Sequence, residues 1–310
     1  MHLLIPNAST LSEAGLPAQR GLVLPHLQRL LPRMVPADRL GTDEYALSTP
    51  AELAHAQALG WNAPDGCLPW AAQAAAADGV PVGDAPWGLL TPVHWHVGAE
   101  HVSVGYPEQL RLSAQESHAL FEAVRPLFEG EGWTLVWGSP LRWYASHASL
   151  QGLPTASLDR VIGRNLDLWM PDHPQAKAIR RLQNEVQMML YQQPENDRRA
   201  EMSMMPVNSF WLSGCGRLQP AGTTDGLVID HRLRAPLLGE NWADWAEAWR
   251  ALDAGPVRDL LARHDAGEAV ALTLCGERFA QRLQAGSQGW LARLARRFGG
   301  ASPLALLEAL

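Results

Sequence analysis

Short apolar runs alternate along this chain with segments of helical periodicity, and this alternation constrains the fold more than any other feature. Residues 2–5 form an apolar run that ends at Pro6, which predicts a buried first strand whose carboxyl end opens into the polar loop 7–12. Residues 24–34 have the spacing of an amphipathic helix, and residues 50–59 are predicted to form a helix because Ser48 and Thr49 are possible caps before it and Gly60 follows it. Such alternation predicts an α/β fold with a parallel or mixed sheet flanked by helices, and ligands bind such sheets at the carboxyl ends of the strands.

A different pattern begins near Pro86. Residues 93–97 and 101–104 alternate like the strands of an antiparallel hairpin, and residues 113–128 predict a helix that starts with a capping box. We therefore predict a small α+β insertion over 86–170 within an α/β core formed by 1–85 and 171–310. Further predicted elements are strands at 134–137, 142–144, 207–212, 226–230 and 269–274 and helices at 175–191 and 242–252. The strand 207–212 is expected to end in a glycine-rich turn at 213–216.

Composition excludes two broad classes of protein. With 47% hydrophobic and 18% charged residues, the 310-residue chain has the apolar content of a folded globular protein rather than a disordered one. The net charge of −7 and the absence of a dense basic run argue against nucleic-acid binding, because a phosphate backbone requires a positive surface.

The location of the protein is predicted from apolar runs and cysteines. The start of the chain lacks the pattern of a signal peptide, and no apolar run approaches the roughly 18 residues of a membrane span. Cys67, Cys215 and Cys275 are odd in number and widely spaced, which favours reduced structural thiols over disulfides or a metal site. We expect a cytoplasmic protein that does not bind membranes.

Several motifs, in a shared order, resemble the archaeal-type cofactor-independent phosphoglycerate mutases of the alkaline phosphatase superfamily. The most informative stretch is Asn208, Trp211, Gly214 and Gly216, which keep the family's Asn-x-x-Trp-x-x-Gly-x-Gly frame after a segment with two arginines at 198–199. The segments 24–30, 58–62 and 110–144 are also similar to family motifs. The resemblance implies an alkaline phosphatase-like core, and it is greatest to a divergent branch of RpfE-type regulatory, phosphoglycerate mutase-like proteins.

The resemblance also implies where a catalytic site would lie. The resembling enzymes use two divalent metals, held by Asp and His, and a serine nucleophile. In this chain the first-strand aspartate falls on Asn7, the nucleophile falls on Ala51, and a later metal ligand falls on Leu237. The last pair of metal-ligand residues falls on Glu277 and Arg278, and an arginine cannot bind a cation. No catalytic residue is therefore assigned, and Ser48 and Thr49 are the nearby hydroxyls. The candidate ligand-binding residues are Asn7, Glu52, Asn208, Arg217, Arg234, Glu240, Glu277 and Arg278.

Three other groups of residues have alternative interpretations. His94, His96 and His101 lie on the predicted hairpin and could bind a metal, although solvated or hydrogen-bonded histidines are the favoured interpretation. Cys215 is interpreted as a buried thiol rather than a nucleophile, because the sequence names no base for it. A stripe of tryptophans, Trp242, Trp245 and Trp249, predicts a helix face directed to the core or to an interface.

These observations favour a phosphoglycerate mutase-like protein without the parent reaction, which acts by binding a phosphorylated small metabolite or a protein partner. No cofactor is expected. One alternative is an active enzyme with a rearranged Mn²⁺ or Mg²⁺ site, and another is an oligomeric interaction protein that uses its tryptophan-rich helix. The oligomeric state stays open.

Overall fold

The computed structural model describes residues 1–99, 101–286 and 302–310. They divide into two compact units, Met1–Gly60 with Ala221–Leu310 (unit 1) and Trp61–Pro220 (unit 2). These bounds differ at both junctions from the predicted bounds of 85/86 and 170/171. The reason is strand pairing: the predicted strand near residue 209 pairs with the strand that begins at Pro86, so the segment up to Pro220 belongs with the predicted insertion.

Unit 1 contains a five-stranded mixed sheet in the order β2-β11-β10-β1-β9. The strand β1 pairs in parallel with both β9 and β10, whereas β11 is antiparallel to β10 and β2. The strands are β1 His2–Ile5, β2 Met34–Gly41, β9 Leu227–Ile229, β10 Ala271–Cys275 and β11 Phe279–Ala285. The helices are α1 Leu16–Arg20, α2 Pro25–Leu30, α3 Pro50–Leu59, α9 Arg234–Leu238, α10 Trp242–Leu252, α11 Arg258–Asp265 and α12 Pro303–Glu308.

Helices cover both faces of this sheet. On one face, Leu3 and Ile5 pack in a large apolar core with residues of α2, α10 and α11. On the other face, Leu4 packs in a smaller core beneath α3, together with Cys275 and Ala280. The α/β class predicted from the sequence, with a mixed sheet flanked by helices, is confirmed.

Unit 2 contains a four-stranded antiparallel sheet in the order β6-β7-β3-β8 and a separate two-stranded hairpin, β4-β5. The strands are β3 Pro86–Val93, β4 Trp95–Val97, β5 Val102–Val104, β6 Thr134–Ser139, β7 Arg142–Ser146 and β8 Ser209–Arg217. The helices are α4 Trp70–Ala77, α5 Ala114–Val124, α6 Leu158–Val161, α7 Ala176–Tyr191 and α8 Pro194–Glu201. The amphipathic helix α7 buries Ile179, Leu182 and Val186 in the core of this unit.

Two predicted elements end differently in the structure. The predicted helix 24–34 stops at Leu30, and after a 3₁₀ turn Met34 begins β2, because Pro32 cannot continue the α-helical hydrogen bonds. The predicted turn at 213–216 is wrong, since β8 continues through it to Arg217. A register shift in the β3–β8 pairing and the left-handed φ of +65° at Gly214 allow the strand to continue past this point.

A buried arginine joins the helices of unit 2. The side chain of Arg199 is fully buried, and its guanidinium donates to Glu116 at 2.7 Å and to the carbonyl oxygens of Met205 and Leu110 at 2.9 and 2.5 Å. Glu116 also accepts from the backbone of Ser113, where it completes the capping box of α5. One ion pair thus connects α8, the segment after it and the start of α5.

We predict that Arg199→Met destabilises the protein by about 3 kcal/mol, because it leaves Glu116 and two carbonyl groups without their buried donor. The matched control is Arg198→Met in the same helix, whose side chain is 64% exposed; such surface pairs contribute at most about 1 kcal/mol. Chemical denaturation of both variants, followed by tryptophan fluorescence, measures the difference. Equal losses of stability in the two variants would contradict the stabilising role of the buried Arg199–Glu116 ion pair.

Candidate functional site

The loops that follow the parallel strands of unit 1 lie at one edge of its sheet, which we call the carboxyl edge. Ile5 pairs with Leu274, and just beyond this pair the Ala8 amide donates to the Cys275 carbonyl at 2.7 Å. The Asp230 amide, after β9, donates to the Leu4 carbonyl at 3.0 Å. The carboxyl edge therefore collects the residues after β1, β9 and β10, as expected for a ligand site in an α/β sheet.

The helix α3 also begins at this edge. The strand β2 ends there, because Gly41 pairs with Phe279 and the Phe279 carbonyl accepts from the Gly276 amide. The chain then turns into α3, whose last residues, Gln57 and Ala58, lie near the opposite end of β1. The first turn of α3, with its candidate residues, is thus placed at the carboxyl edge.

Asn7 occupies the turn directly after β1. Its backbone has a φ of +58°, a left-handed conformation that asparagine tolerates better than most residues. Its carbonyl accepts from the Trp245 indole at 3.1 Å, and the carbonyl of Ala8 accepts from the Trp249 indole at 3.0 Å. Both tryptophans are fully buried, so these two members of the predicted stripe face the core of unit 1 and hold this loop in place, whereas Trp242 is partly buried.

The hydroxyl and carboxylate at the start of α3 form a capping box. Thr49 accepts from the Glu52 amide at 3.2 Å, and Glu52 accepts from the Thr49 amide at 2.8 Å. Ser48 is 3% exposed, and Ala51 packs against the smaller core of the unit. The hydroxyls near the expected nucleophile position are therefore a helix cap and a buried serine.

The remaining candidates of unit 1 have local roles in the structure. Glu277 accepts from the Leu11 amide at 2.8 Å, which joins the loop after β10 to the loop after β1. The backbone amide of Arg278 donates to the Leu310 carbonyl at 3.0 Å. Arg234 is the first residue of α9, and Glu240 is an exposed residue with a φ of +50° that follows this helix.

Two histidines at the carboxyl edge were missed by the sequence analysis. His55 lies in the second turn of α3, and His231 follows β9. Burial, and then the neighbouring His231, hold the pKa of His55 below its ordinary value. A sequence signal for His231 existed, since Asp230 and His231 come directly after the apolar strand 227–229.

These residues do not fit a two-metal centre. Within the described ranges, no three His, Cys, Asp or Glu side chains come close enough to hold a metal ion. At the carboxyl edge the ligand positions implied by the resemblance carry a neutral amide at Asn7 and a guanidinium at Arg278. Glu52 and Glu277 both accept from backbone amides instead. No step of a reaction is therefore assigned to a metal.

The other candidates lie in unit 2. The amide side chain of Asn208 accepts from the Trp95 backbone at 2.7 Å and donates to it at 3.0 Å, which holds the start of the β4-β5 hairpin. His94 and His96 have ring centroids 4.5 Å apart, and His94 bonds the Pro206 carbonyl at 2.8 Å. His101 precedes β5, and its carbonyl closes the hairpin turn. Arg217 is the exposed last residue of β8.

The motif residues that carry the resemblance make structural contacts within unit 2. The Trp211 indole donates to the Ala156 carbonyl at 2.9 Å. A side chain at Gly214 would place its Cβ 2.8 Å from the backbone nitrogen of Ala71 in α4, so only glycine fits this approach of helix and strand. The segment with Arg198 and Arg199 forms the helix α8.

The cysteines have the properties of structural thiols. Cys215 and Cys275 are fully buried, and burial raises the pKa of Cys215 to about 12. A thiol with so high a pKa forms little thiolate near neutral pH and is a poor nucleophile.

No helix in the described part of the chain is both long and apolar enough to cross a bilayer.

Comparisons with known proteins give distant structural neighbours. No protein-family model matches the sequence, and no curated protein matches it significantly. The chain is similar to the cofactor-independent phosphoglycerate mutase from Thermoplasma acidophilum DSM 1728, with a TM-score of 0.39 and 12% identity over 100% of this chain and 98% of that one. It is also similar to the PH0037 protein from Pyrococcus horikoshii, with a TM-score of 0.45 and 12% identity over 92% of this chain and 87% of that one.

We predict that His231→Gln raises the pKa of His55, because it removes a neighbouring positive charge, while burial keeps that pKa below the ordinary value. NMR titration of the histidine ring protons measures it. Because the pKa of folded His55 lies below that of the unfolded chain, its protonation also lowers stability as the pH falls below about 6.5.

The matched control for this titration is His173→Gln, which replaces an exposed histidine of unit 2 and should leave the His55 titration unchanged. A His55 pKa that does not respond to His231→Gln, or that lies above the ordinary histidine value, would contradict the coupling of these two rings.

Proposed function

We propose that this chain is a phosphoglycerate mutase-like protein of the alkaline phosphatase superfamily that no longer carries out the metal-dependent reaction and acts by binding a phosphorylated small metabolite. The observation that carries the proposal is the chemistry of the carboxyl edge. Where in-line phosphoryl transfer needs carboxylates for two metals and a free nucleophile, this edge has Asn7, a capping threonine and Ala51.

The loss of reaction is argued from each required group. A phosphoryl acceptor needs an accessible hydroxyl, but Thr49 is used in the capping box and Ser48 is buried. A hard dication prefers charged oxygen ligands, and Asn7 offers only a neutral amide. The carboxylate of Glu277 accepts a hydrogen bond from the Leu11 amide in the loop after β1. A phosphoryl transfer thus lacks both its acceptor and its electrostatic stabilisation.

Binding of a phosphorylated metabolite is supported by the hydrogen-bond donors at the carboxyl edge, where the resembling enzymes have metal-binding carboxylates. His55 and His231 lie at the same edge, and a neutral imidazole N–H can donate to a phosphate oxygen. Arg278 is partly buried after β10, its Nε has no hydrogen-bond partner in the described ranges, and its neighbour Glu277 bonds the Leu11 amide in the loop after β1. A site of imidazole and guanidinium donors suits a phosphate better than a metal ion.

Two further parts of the proposal concern the role of the protein in the cell. We infer a regulatory role in the cytoplasm, of the kind carried by the RpfE-type branch, in which occupancy by the metabolite is the signal. We also infer a protein partner whose binding depends on whether the metabolite is bound. Interaction through the tryptophan stripe is not proposed, because Trp245 and Trp249 are buried in unit 1.

The alternative function is an active mutase or phosphatase with a rearranged site. The specific observation in its favour is the proximity of His55 and His231, which could join Asn7, Ser48, Glu52, Glu240 and Glu277 around Mn²⁺ or Mg²⁺. A coupled assay that follows conversion of 3-phosphoglycerate to 2-phosphoglycerate, with and without Mn²⁺, separates the two functions.

We predict no Mn²⁺-dependent turnover above that of Asn7→Ala, which controls for contaminating mutase. Calorimetric titration with 3-phosphoglycerate in the absence of metal should show saturable binding that His231→Gln weakens about tenfold, the usual effect of losing one hydrogen bond to a charged group. His173→Gln should bind as the wild type does. Robust Mn²⁺-dependent turnover that Asn7→Ala abolishes would establish the active alternative instead.

A further inference from the structure

A cavity lies in unit 1 toward the end of the sheet opposite the carboxyl edge. Its volume is about 320 Å³, and it lies beneath the last turn of α3, next to the first residue of β1. This volume is at the low end of the range for small-molecule pockets, roughly 300–1,000 Å³. The polar residues that line it include His2, Asp38, Thr273, Arg282, Thr224 and Asp225.

Polar side chains form a row across the strands in this cavity. Thr273 of β10 is the direct cross-strand partner of Arg282 of β11, and the Thr273 hydroxyl is 2.8 Å from Nε2 of His2 on β1. On the other side, Arg282 contacts Asp38 of β2 at 3.5 Å. The row thus spans four neighbouring strands, β1, β10, β11 and β2.

The row is on the face of the sheet that α3 covers. Because side chains two residues apart share a face, Thr273 lies on the same face as Cys275, and Arg282 on the same face as Ala280. Cys275 and Ala280 pack in the apolar core under α3. Polar groups in positions where a sheet packs against a helix cost free energy unless they are hydrogen-bonded, and the Nε of Arg282 in this row has no hydrogen-bond partner in the described ranges.

Arg282 is the cation of the cavity. Its side chain is 38% exposed, and among the described residues its guanidinium makes one polar contact, the long one to Asp38. Its Nε is buried and has no hydrogen-bond partner in the described ranges. Burial, Arg282 and the amino terminus together lower the pKa of His2 to about 4, so His2 is neutral near pH 7. A planar carboxylate matches the unused donors of such a guanidinium.

Two carboxylates in the cavity restrict the charge that the rest of the ligand can have. Asp38 and Asp225 line the same cavity, and Asp225 lies on its exposed side with Thr224. A phosphate dianion would meet two like charges there, which is unfavourable. An ammonium group would instead be attracted to them. A ligand that pairs with both the guanidinium and the carboxylates carries a carboxylate and an ammonium group.

We propose that this cavity binds a free α-amino acid as its zwitterion, with the carboxylate on Arg282 and the Thr273 hydroxyl and the ammonium group on Asp225 and Asp38. This site is separate from the carboxyl edge and does not depend on the function proposed for that edge. An amino acid bound here would contact four strands of unit 1 and the end of α3 at once.

The test uses the full-length protein and each of the twenty common L-amino acids in turn, first by thermal shift and then by calorimetric titration. At least one amino acid should bind saturably, and acetate and inorganic phosphate should bind at least about tenfold more weakly, because each lacks one of the two charged ends or adds repulsion. Arg282→Gln should weaken binding by about tenfold or more, and Thr273→Val by a few-fold.

The matched control is Arg29→Gln, which removes an exposed arginine of α2 from the opposite side of the sheet and should leave binding unchanged. His231→Gln should also leave it unchanged, which separates this site from the carboxyl edge. Thermal unfolding of Thr273→Val, a change of nearly equal volume, shows whether the fold is retained. Absence of saturable binding by all twenty amino acids, equal affinity of Arg282→Gln and wild type, or tighter binding of phosphate would each overturn the proposal.

Discussion

The parallel pairing of β1 with β9 and β10 is the interaction on which the rest of unit 1 depends. Leu3, Leu4 and Ile5 are fully buried, because helices cover both faces of the sheet. The carboxyl end of the same strand leads into the Asn7 loop, and its amino end places His2 against Thr273. One four-residue strand therefore positions both the carboxyl edge and the polar cavity beneath α3.

Both regions contain polar groups next to the apolar core, and neighbouring contacts satisfy some of them. At the carboxyl edge the indoles of Trp245 and Trp249 satisfy carbonyl groups of the loop after β1, so the loop is held without a ligand. In the cavity, Arg282 keeps an unmet donor among the described residues. Each end of β1 thus lies near an arginine whose buried Nε lacks a hydrogen-bond partner in the described ranges, Arg278 at the carboxyl edge and Arg282 in the cavity.

The sequence predicted well those features that depend on local signals. The first strand, the helix α3 that follows the possible caps Ser48 and Thr49, and the hairpin after residue 93 all follow from periodicity, caps and glycine positions within a few residues. They agree with the structure because each is fixed by neighbours in the chain. The α/β class follows from the same local patterns.

The features that the sequence did not predict depend on distant pairing. Gly214 and Gly216 look like a turn, but the pairing of β8 with β3 keeps them in a strand. Arg199 lies in a strongly charged segment of the sequence, but its side chain is buried and bonded to Glu116 and two carbonyl groups. His231 is associated with His55 only through the sheet and α3, and the polar row of the cavity spans four strands far apart in sequence.

The sequence separation of these pairs has a consequence for the order in which the protein can form during translation. His2 and its partner Thr273 are 271 positions apart, so the first strand leaves the ribosome long before the strand that pairs with it exists. Unit 2 is contiguous in the chain and is synthesised complete within that interval. At about 5–20 residues per second, the nascent amino-terminal segment remains unpaired for many seconds, with its apolar strand open to chaperones.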